Sequence, residues 1–189
     1  MTIKTFDTEG VLIIANTTKC KKYFAEHEFN YSYPKGLFDL IAKGIIHIIT
    51  TEETVENLNF VFDEASIDLN RWEYNESYNY LDISIADEIR LIDHATFTQM
   101  CDSYNGDLDM RIESSLKTRK LINADVSIER ETFEERYPKI NLPVGLNKIN
   151  VYSNTVAGEN FLPEFTFLFE LVENIDLKKI TLDPLEIEG

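Results

Sequence analysis

Glycine is scarce, at seven in 189 residues. The chain has little material for phosphate-cradling loops, and neither G-x-x-x-x-G-K-[ST] nor G-x-G-x-x-G occurs. With five prolines and no Gly/Ser tract there is no linker, so one domain over 1–189 is expected. The two cysteines, Cys20 and Cys101, are far apart and in no metal spacing; free thiols in a reducing compartment are the plain reading and a single disulfide the alternative. H-x-x-x-H, C-x-x-C and H-x-H are absent, so no metal site is expected. G-x-S-x-G is absent too, and no serine sits beside a histidine in an informative context. No catalytic residue is therefore nominated, and no cofactor is expected. No apolar run approaches a membrane span. The opening "MTIKTFDTEG" lacks the apolar core of a signal peptide, and a cytoplasmic protein is expected.

Positive charge is the other shortage. Eighteen Lys and Arg face thirty-four Asp and Glu, for a net charge of -16. Such a chain repels nucleic acid and anionic lipid and favours a basic protein partner. The acids do not organise into a calcium loop. If Gly106 of "CDSYNGDLDMRIE" were the sharp-turn glycine, Cys101 and Ile112 would fall at the first and closing ligand positions, where neither serves. A polar turn is the better reading.

What is present is strand signal. "GVLIIANTT" (Gly10–Thr18) is apolar and β-branched. "YFAEHEFNYSY" alternates, with Tyr23, His27, Phe29 and Tyr31 on one face, and predicts a half-buried strand. "YPKGLFDLIAKG" reads as a short helix closed by Gly44, and "IIHIITT" as a central strand. "NLNFVFDE" places Leu58, Phe60 and Phe62 inward. "ISIADEIRLIDH" looks like a hairpin, after which Asp93 caps a helix ending at Asn105-Gly106. Asp107–Tyr137, which carries the basic cluster Lys117, Arg119 and Lys120, is read as strands. Ile149 and Val151 alternate inward after Pro143-x-Gly145, and Phe165, Phe167, Phe169 and Leu171 share one face of a closing strand. The fold expected is mainly β, an antiparallel β-sandwich or distorted barrel with one or two short helices. His27 and His47 fit buried core positions, and His94 the start of the capped helix.

One stretch stands above this scaffold. In "RWEYNESYNYLDISI", Leu81, Ile83 and Ile85 facing the core would turn Tyr78, Tyr80 and Asp82 away from it. Asn75-Glu76-Ser77 can turn the chain just before, leaving Trp72 and Tyr74 on the preceding segment. Aromatics beside Glu73, Glu76 and Asp82 match a protein-binding surface: large contact area at small entropic cost, with acids to steer a basic partner. The competing reading is that a second layer covers the tyrosines.

Leu142-Pro143-x-Gly145 opening "KINVYS", an acidic link and the closing "FTFLFELVE", together with "DLIAKGIIHIITTEET" before "LNFVF", resemble parts of small bacterial inhibitor proteins. These include the competence-associated nuclease inhibitor and some immunity proteins of polymorphic toxins. The resemblance covers scattered pieces and carries over no functional residue. It implies an acidic protein that binds and blocks a basic toxin or nuclease, which agrees with the charge argument. The alternatives are a small-ligand binder or an enzyme with an unrecognised site, in which the Tyr23, His27, Phe29 and Tyr31 face lines a cavity, and an accessory subunit of a larger assembly.

Overall fold

The computed structural model describes residues 1–121, 132–133, 135–154 and 162–186. In chain order its elements are β1 (Thr2–Asp7), β2 (Val11–Asn16), α1 (Thr17–Phe24), α2 (Phe38–Ala42), β3 (Ile46–Thr50), β4 (Thr54–Val61), β5 (Trp72–Ile83), β6 (Ile89–Asp93), α3 (His94–Ser103), α4 (Leu108–Leu121), β7 (Gly145–Asn154), β8 (Glu164–Val172) and β9 (Leu185–Glu186). The strands form two sheets, β1-β4-β8-β7-β5 and β6-β2-β3-β9. Pairing is mainly antiparallel; β4 with β8 and β3 with β9 are parallel. The protein is a mainly β sandwich and not a closed barrel. Among the described residues no helix is long and apolar enough to cross a membrane.

Three layers follow from which residues are apolar on which face. β2 and β3 lie centrally in the smaller sheet and are buried on both faces, as their uninterrupted apolar runs require. One face, with Leu12, Ile14 and Ile49, meets Leu58, Phe60, Leu81, Ile149, Val151, Phe165 and Phe167 of the larger sheet. The other, with Ile13, Ile46 and Ile48, meets Cys20 and Phe24 of α1, Leu40 and Ile41 of α2, Phe97 and Met100 of α3 and Ile112 and Leu116 of α4. On the outer face of the larger sheet the β4–β5 connection lays Ile67 against Tyr152 and Leu168, both buried.

Helix is richer than the one or two short pieces expected. The strand expected over Tyr23–Tyr33 is instead the end of α1 and an irregular segment. The Asn16 side chain accepts from the Lys19 amide and caps a helix whose Cys20 and Phe24, four apart, are buried. Beyond it, polar groups bond locally: the Ser32 amide donates to Asn30 Oδ1, and His27 Nδ1 bonds the Tyr23 carbonyl. The described residues of Asp107–Tyr137 form no strand either. Asp107 accepts from the Met110 amide at the start of α4, where Leu108, Ile112 and Leu116 form one buried stripe. Residues 122–131 and 134 of that stretch lie outside the described residues.

The hairpin expected around Ala86-Asp87-Glu88 joins different sheets: β5 pairs with β7 and β6 with β2. The Ser84 amide donates to the Asp87 carboxylate and closes the crossing turn, leaving Ile85 86% exposed rather than inward. Phe62 and Leu171 are also exposed, at 53% and 60%. β4 and β8, of 8 and 9 residues, outrun β2, β3 and β6 of 5 or 6, and the ends of their inner face pass the cover. The short helix closed by Gly44, the central strand β3, the Asp93-capped α3 and the inward faces of β7 and β8 stand as read.

A candidate protein-binding face

The pleat of β5 against β7 sets Trp72 opposite Asn154 and Tyr74 opposite buried Tyr152 on the outer face of the larger sheet. The Tyr74 and Tyr152 rings lie 5.4 Å apart. The Arg71 guanidinium sits over the Trp72 ring, 5.3 Å from its centroid, and donates to Glu164 Oε2 at 2.7 Å. Glu164, 2% exposed, also accepts from the Asn57 and Asn154 side-chain amides. Burial alone would raise its pKa. The hydrogen bonds from Asn57, Arg71 and Asn154, with the Arg71 charge, outweigh burial and hold the carboxyl below its usual range. This saturated carboxylate has no spare role in catalysis. It fixes β4, β8, β7 and the base of the Trp72 ring as one unit.

Between Asn75 and Asn79, four residues of β5 pass where β7 spends two, from Val151 to Ile149. The extra pair bulges out but keeps the parity, so Leu81 and Ile83 remain inward below it. The bulge is tied down. Tyr74 Oη donates to the Ser77 carbonyl at 3.2 Å, and the Tyr78 amide donates to Thr181 Oγ1 at 3.0 Å while the Tyr78 carbonyl accepts from the Thr181 amide. Tyr78 Oη accepts from the Asp176 amide.

The expected surface therefore divides. Trp72, half-buried, and exposed Glu73, Tyr74 and Glu76 lie together at one end of β5. Tyr80 at the other end is 7% exposed: its ring lies on Gly44 and its hydroxyl donates to the Ala42 carbonyl at 2.9 Å. A second layer, the α2–β3 connection, covers it, and it presents no contact area. Burial, then the Asp82 charge, raises its phenol pKa. Asp82 is paired with Lys19 at 2.5 Å, and Tyr78 is half-covered by the C-terminal segment. Arg71, Tyr152 and Glu164 join the face through strand register, which no local sequence signal announces.

The cavity expected of the Tyr23, His27, Phe29 and Tyr31 face exists in altered form. Phe29 and Tyr31 line a hollow with Tyr33, Leu37, His94 and Phe97 and a second, adjoining one with His27, which is exposed rather than in the core; Tyr23 lines neither and stacks on His27 at 4.2 Å. His47 is buried in the sandwich, where burial lowers its pKa to about 4. Cys20 and Cys101 are free, buried thiols whose pKa values burial pushes up, so neither is a ready nucleophile. Among the described residues no group of three or more His, Cys, Asp or Glu could hold a metal ion. Comparison with family models, curated proteins and solved structures found no match to this chain.

Proposed function

We propose that this is an acidic, non-catalytic binding protein, of the immunity or inhibitor kind, that blocks a basic toxin or nuclease by stoichiometric association. The observation that carries the reading is the end of β5, where half-buried Trp72 and exposed Tyr74, backed by buried Tyr152, stand with exposed Glu73 and Glu76, in a chain of net charge -16. Aromatics mounted on a sheet lose little entropy on contact, and the surrounding field accelerates encounter with a cation-rich surface. A cytoplasmic setting fits two buried, unpaired thiols. The small-ligand reading has the aromatic hollow in its favour. Its apolar part, at about 150 Å³, is below the roughly 300–1,000 Å³ of ordinary ligand pockets, and the adjoining hollow of about 480 Å³ has a mainly polar lining with Glu26, Glu28 and Asp102, which favours the association reading.

The test is association with the product of the neighbouring coding sequence, followed by surface plasmon resonance at low and high salt. Tyr74→Ala should weaken binding by up to about 2 kcal/mol as a hot spot. The double reversal Glu73→Lys/Glu76→Lys should lower the on-rate at low salt, and the deficit should shrink as salt rises. An unchanged on-rate at low salt, with folding intact, removes this face from the mechanism. A partner that is acidic, or that is left fully active at saturation, refutes the inhibitor reading.

A further inference from the structure

Away from Trp72 and Tyr74, the segment between α1 and α2 and the exposed side of α3 bound two adjoining hollows. The first, of about 150 Å³, has Leu37 and Phe97 as its buried floor, Phe29, Tyr31, Tyr33 and His94 as walls, and Thr98 at its lining. That volume holds one benzene-sized group. Its walls are braced. Phe29 packs on Phe24 at 6.0 Å, and the Tyr33 and Thr50 hydroxyls bond each other at 2.8 Å while the Tyr33 ring meets His94 at 5.4 Å.

The second hollow, of about 480 Å³, shares Phe29 and Tyr31 with the first, and these two rings, packed edge to face at 5.1 Å, divide the two. Its character is opposite. Exposed Glu26, Glu28 and Asp102 line it, and the Tyr31 hydroxyl donates to Asp102. Among the described residues neither hollow is lined by a lysine or arginine. An apolar slot for one ring thus stands one aromatic wall away from an acidic recess whose three carboxylates face one histidine, His27, among the described residues.

We propose that the paired hollows receive an aromatic side chain and an adjacent lysine or arginine from a partner polypeptide. The apolar slot is too small to hold a free compound tightly. One buried ring with one exposed charge pair supports a dissociation constant only of about millimolar order. The same increment suffices for an anchor within a larger interface, whose remaining contacts share the entropic cost of association. The inference rests on the association reading only in taking the partner to be a basic protein; its own site is separate from Trp72 and Tyr74.

The test uses the intact chain, labelled with nitrogen-15, and the dipeptide probe acetyl-Phe-Arg-amide. Amide shifts should gather at Phe29, Tyr31, His94 and Thr98, with a dissociation constant of about millimolar order. Acetyl-Phe-Glu-amide and acetyl-Gly-Arg-amide should each bind at least about five-fold more weakly, the loss of one exposed charge contact or of the ring. Thr98→Phe, which fills the apolar slot, should abolish the shifts. The surface triple Glu26→Gln/Glu28→Gln/Asp102→Asn, which leaves the core untouched, should erase the preference for Phe-Arg over Phe-Glu. Equal binding of the two dipeptides, no shift up to the probe's solubility, or binding that survives the triple variant with its preference intact overturns the proposal. Phenethylammonium binding more tightly than acetyl-Phe-Arg-amide would assign the site to a free amine instead and overturn the polypeptide. None of these outcomes alters the on-rate test at Glu73 and Glu76, so the two readings fail separately.

Discussion

His47 gives the sharpest measurable consequence of the packing. It is 1% exposed on the central strand β3, 6.2 Å from Phe167 between the sheets, and its Nε2 meets no hydrogen-bond partner among the described residues. Burial without a partner penalises the charged ring and lowers its pKa from 6.5 to about 4. In the unfolded chain the imidazole recovers its ordinary value. Between those two values the unfolded state binds more protons, so stability rises with pH. The contribution is complete above about pH 6.5 and is lost as pH falls towards 4. The difference of about 2.5 units corresponds to about 3 kcal/mol, an order-of-magnitude figure. The lowered carboxyls Asp39, Glu88, Asp107 and Glu164 lose their stabilisation mostly below their ordinary values of 3.8 or 4.5, so the upper part of the window belongs to histidine. Urea unfolding at steps from pH 7 to pH 4 should be compared between the native chain and His47→Leu. The variant removes an orphaned nitrogen at similar volume and should be equal or more stable at pH 7 by up to about 1 kcal/mol. Its advantage should then grow towards about 3 kcal/mol as pH falls. His27 and His94 are present in both proteins and cancel in the difference. Parallel stability curves from pH 6.5 to 4.5 would refute the reasoning, because they would mean that His47 is hydrated or paired in the folded state.

Two mutational outcomes test the packing directly. Phe167, fully buried and stacked on Phe60 at 5.3 Å, should lose about 3–5 kcal/mol on change to Ala, whereas Leu171→Ala on the same strand face should cost under about 1 kcal/mol; equal losses in urea melts would put the end of β8 under cover. Gly44 has a φ of +63°, and a Cβ there would stand 2.4 Å from Tyr80 Cε2, so Gly44→Ala should cost about 1–2 kcal/mol for backbone strain and about 1–3 kcal/mol for overpacking. The overpacking part should vanish in a Tyr80→Ala background; additive losses in the double-mutant cycle would mean that Tyr80 does not rest on Gly44.

Where apolar residues ran unbroken or alternated strictly, the sequence was readable: β2, β3, β7 and β8 took the faces that their patterns assigned. Helix α3 was readable too, because Asp93 is an unmistakable cap and Asn105-Gly106 supplies the positive φ of its end. Helix α1 was hidden, since aromatics at every second position from Tyr23 mimic a strand while the deciding signal is the single capping contact of Asn16. Helix α4 buries only Leu108, Ile112 and Leu116 of an otherwise polar stretch, and three apolar residues spaced by four were overlooked among nearby charges. Crossing from one sheet to the other at Ser84–Glu88 leaves no mark on an alternating pattern, because Ile83 and Ile89 enter the same core from opposite sides. The candidate face was half legible. The turn expected at Asn75-Glu76-Ser77 is instead a bulge within continuous β5, whose even count keeps Trp72 and Tyr74 on the outer face, and nothing near Tyr80 in sequence foretells that Gly44 closes over it.

The division of β5 bears on how the molecule would bind. Its lower half, with Tyr80 and Asp82, is spent on holding the two sheets together through Gly44, Lys19 and the Asn16 side chain, which donates to the Asp82 carbonyl. A partner reaching Tyr80 would have to open the sandwich, and one reaching Asp82 would have to break its pairing with Lys19. Its upper half is stiffened from below. Glu164 collects Arg71, Asn57 and Asn154, Arg71 supports Trp72, and Tyr152 supports Tyr74. The exposed rings there are already ordered, so contact adds area without the entropic loss that a loop would suffer. The hollows beside Phe29 and Tyr31 lie on an irregular segment and depend on a few pinned rings, which suits them to accept one side chain rather than a broad surface. On the proposed reading, the stiffened end of β5 and the small charged socket would be complementary devices for holding a basic protein, the first by area and the second by register.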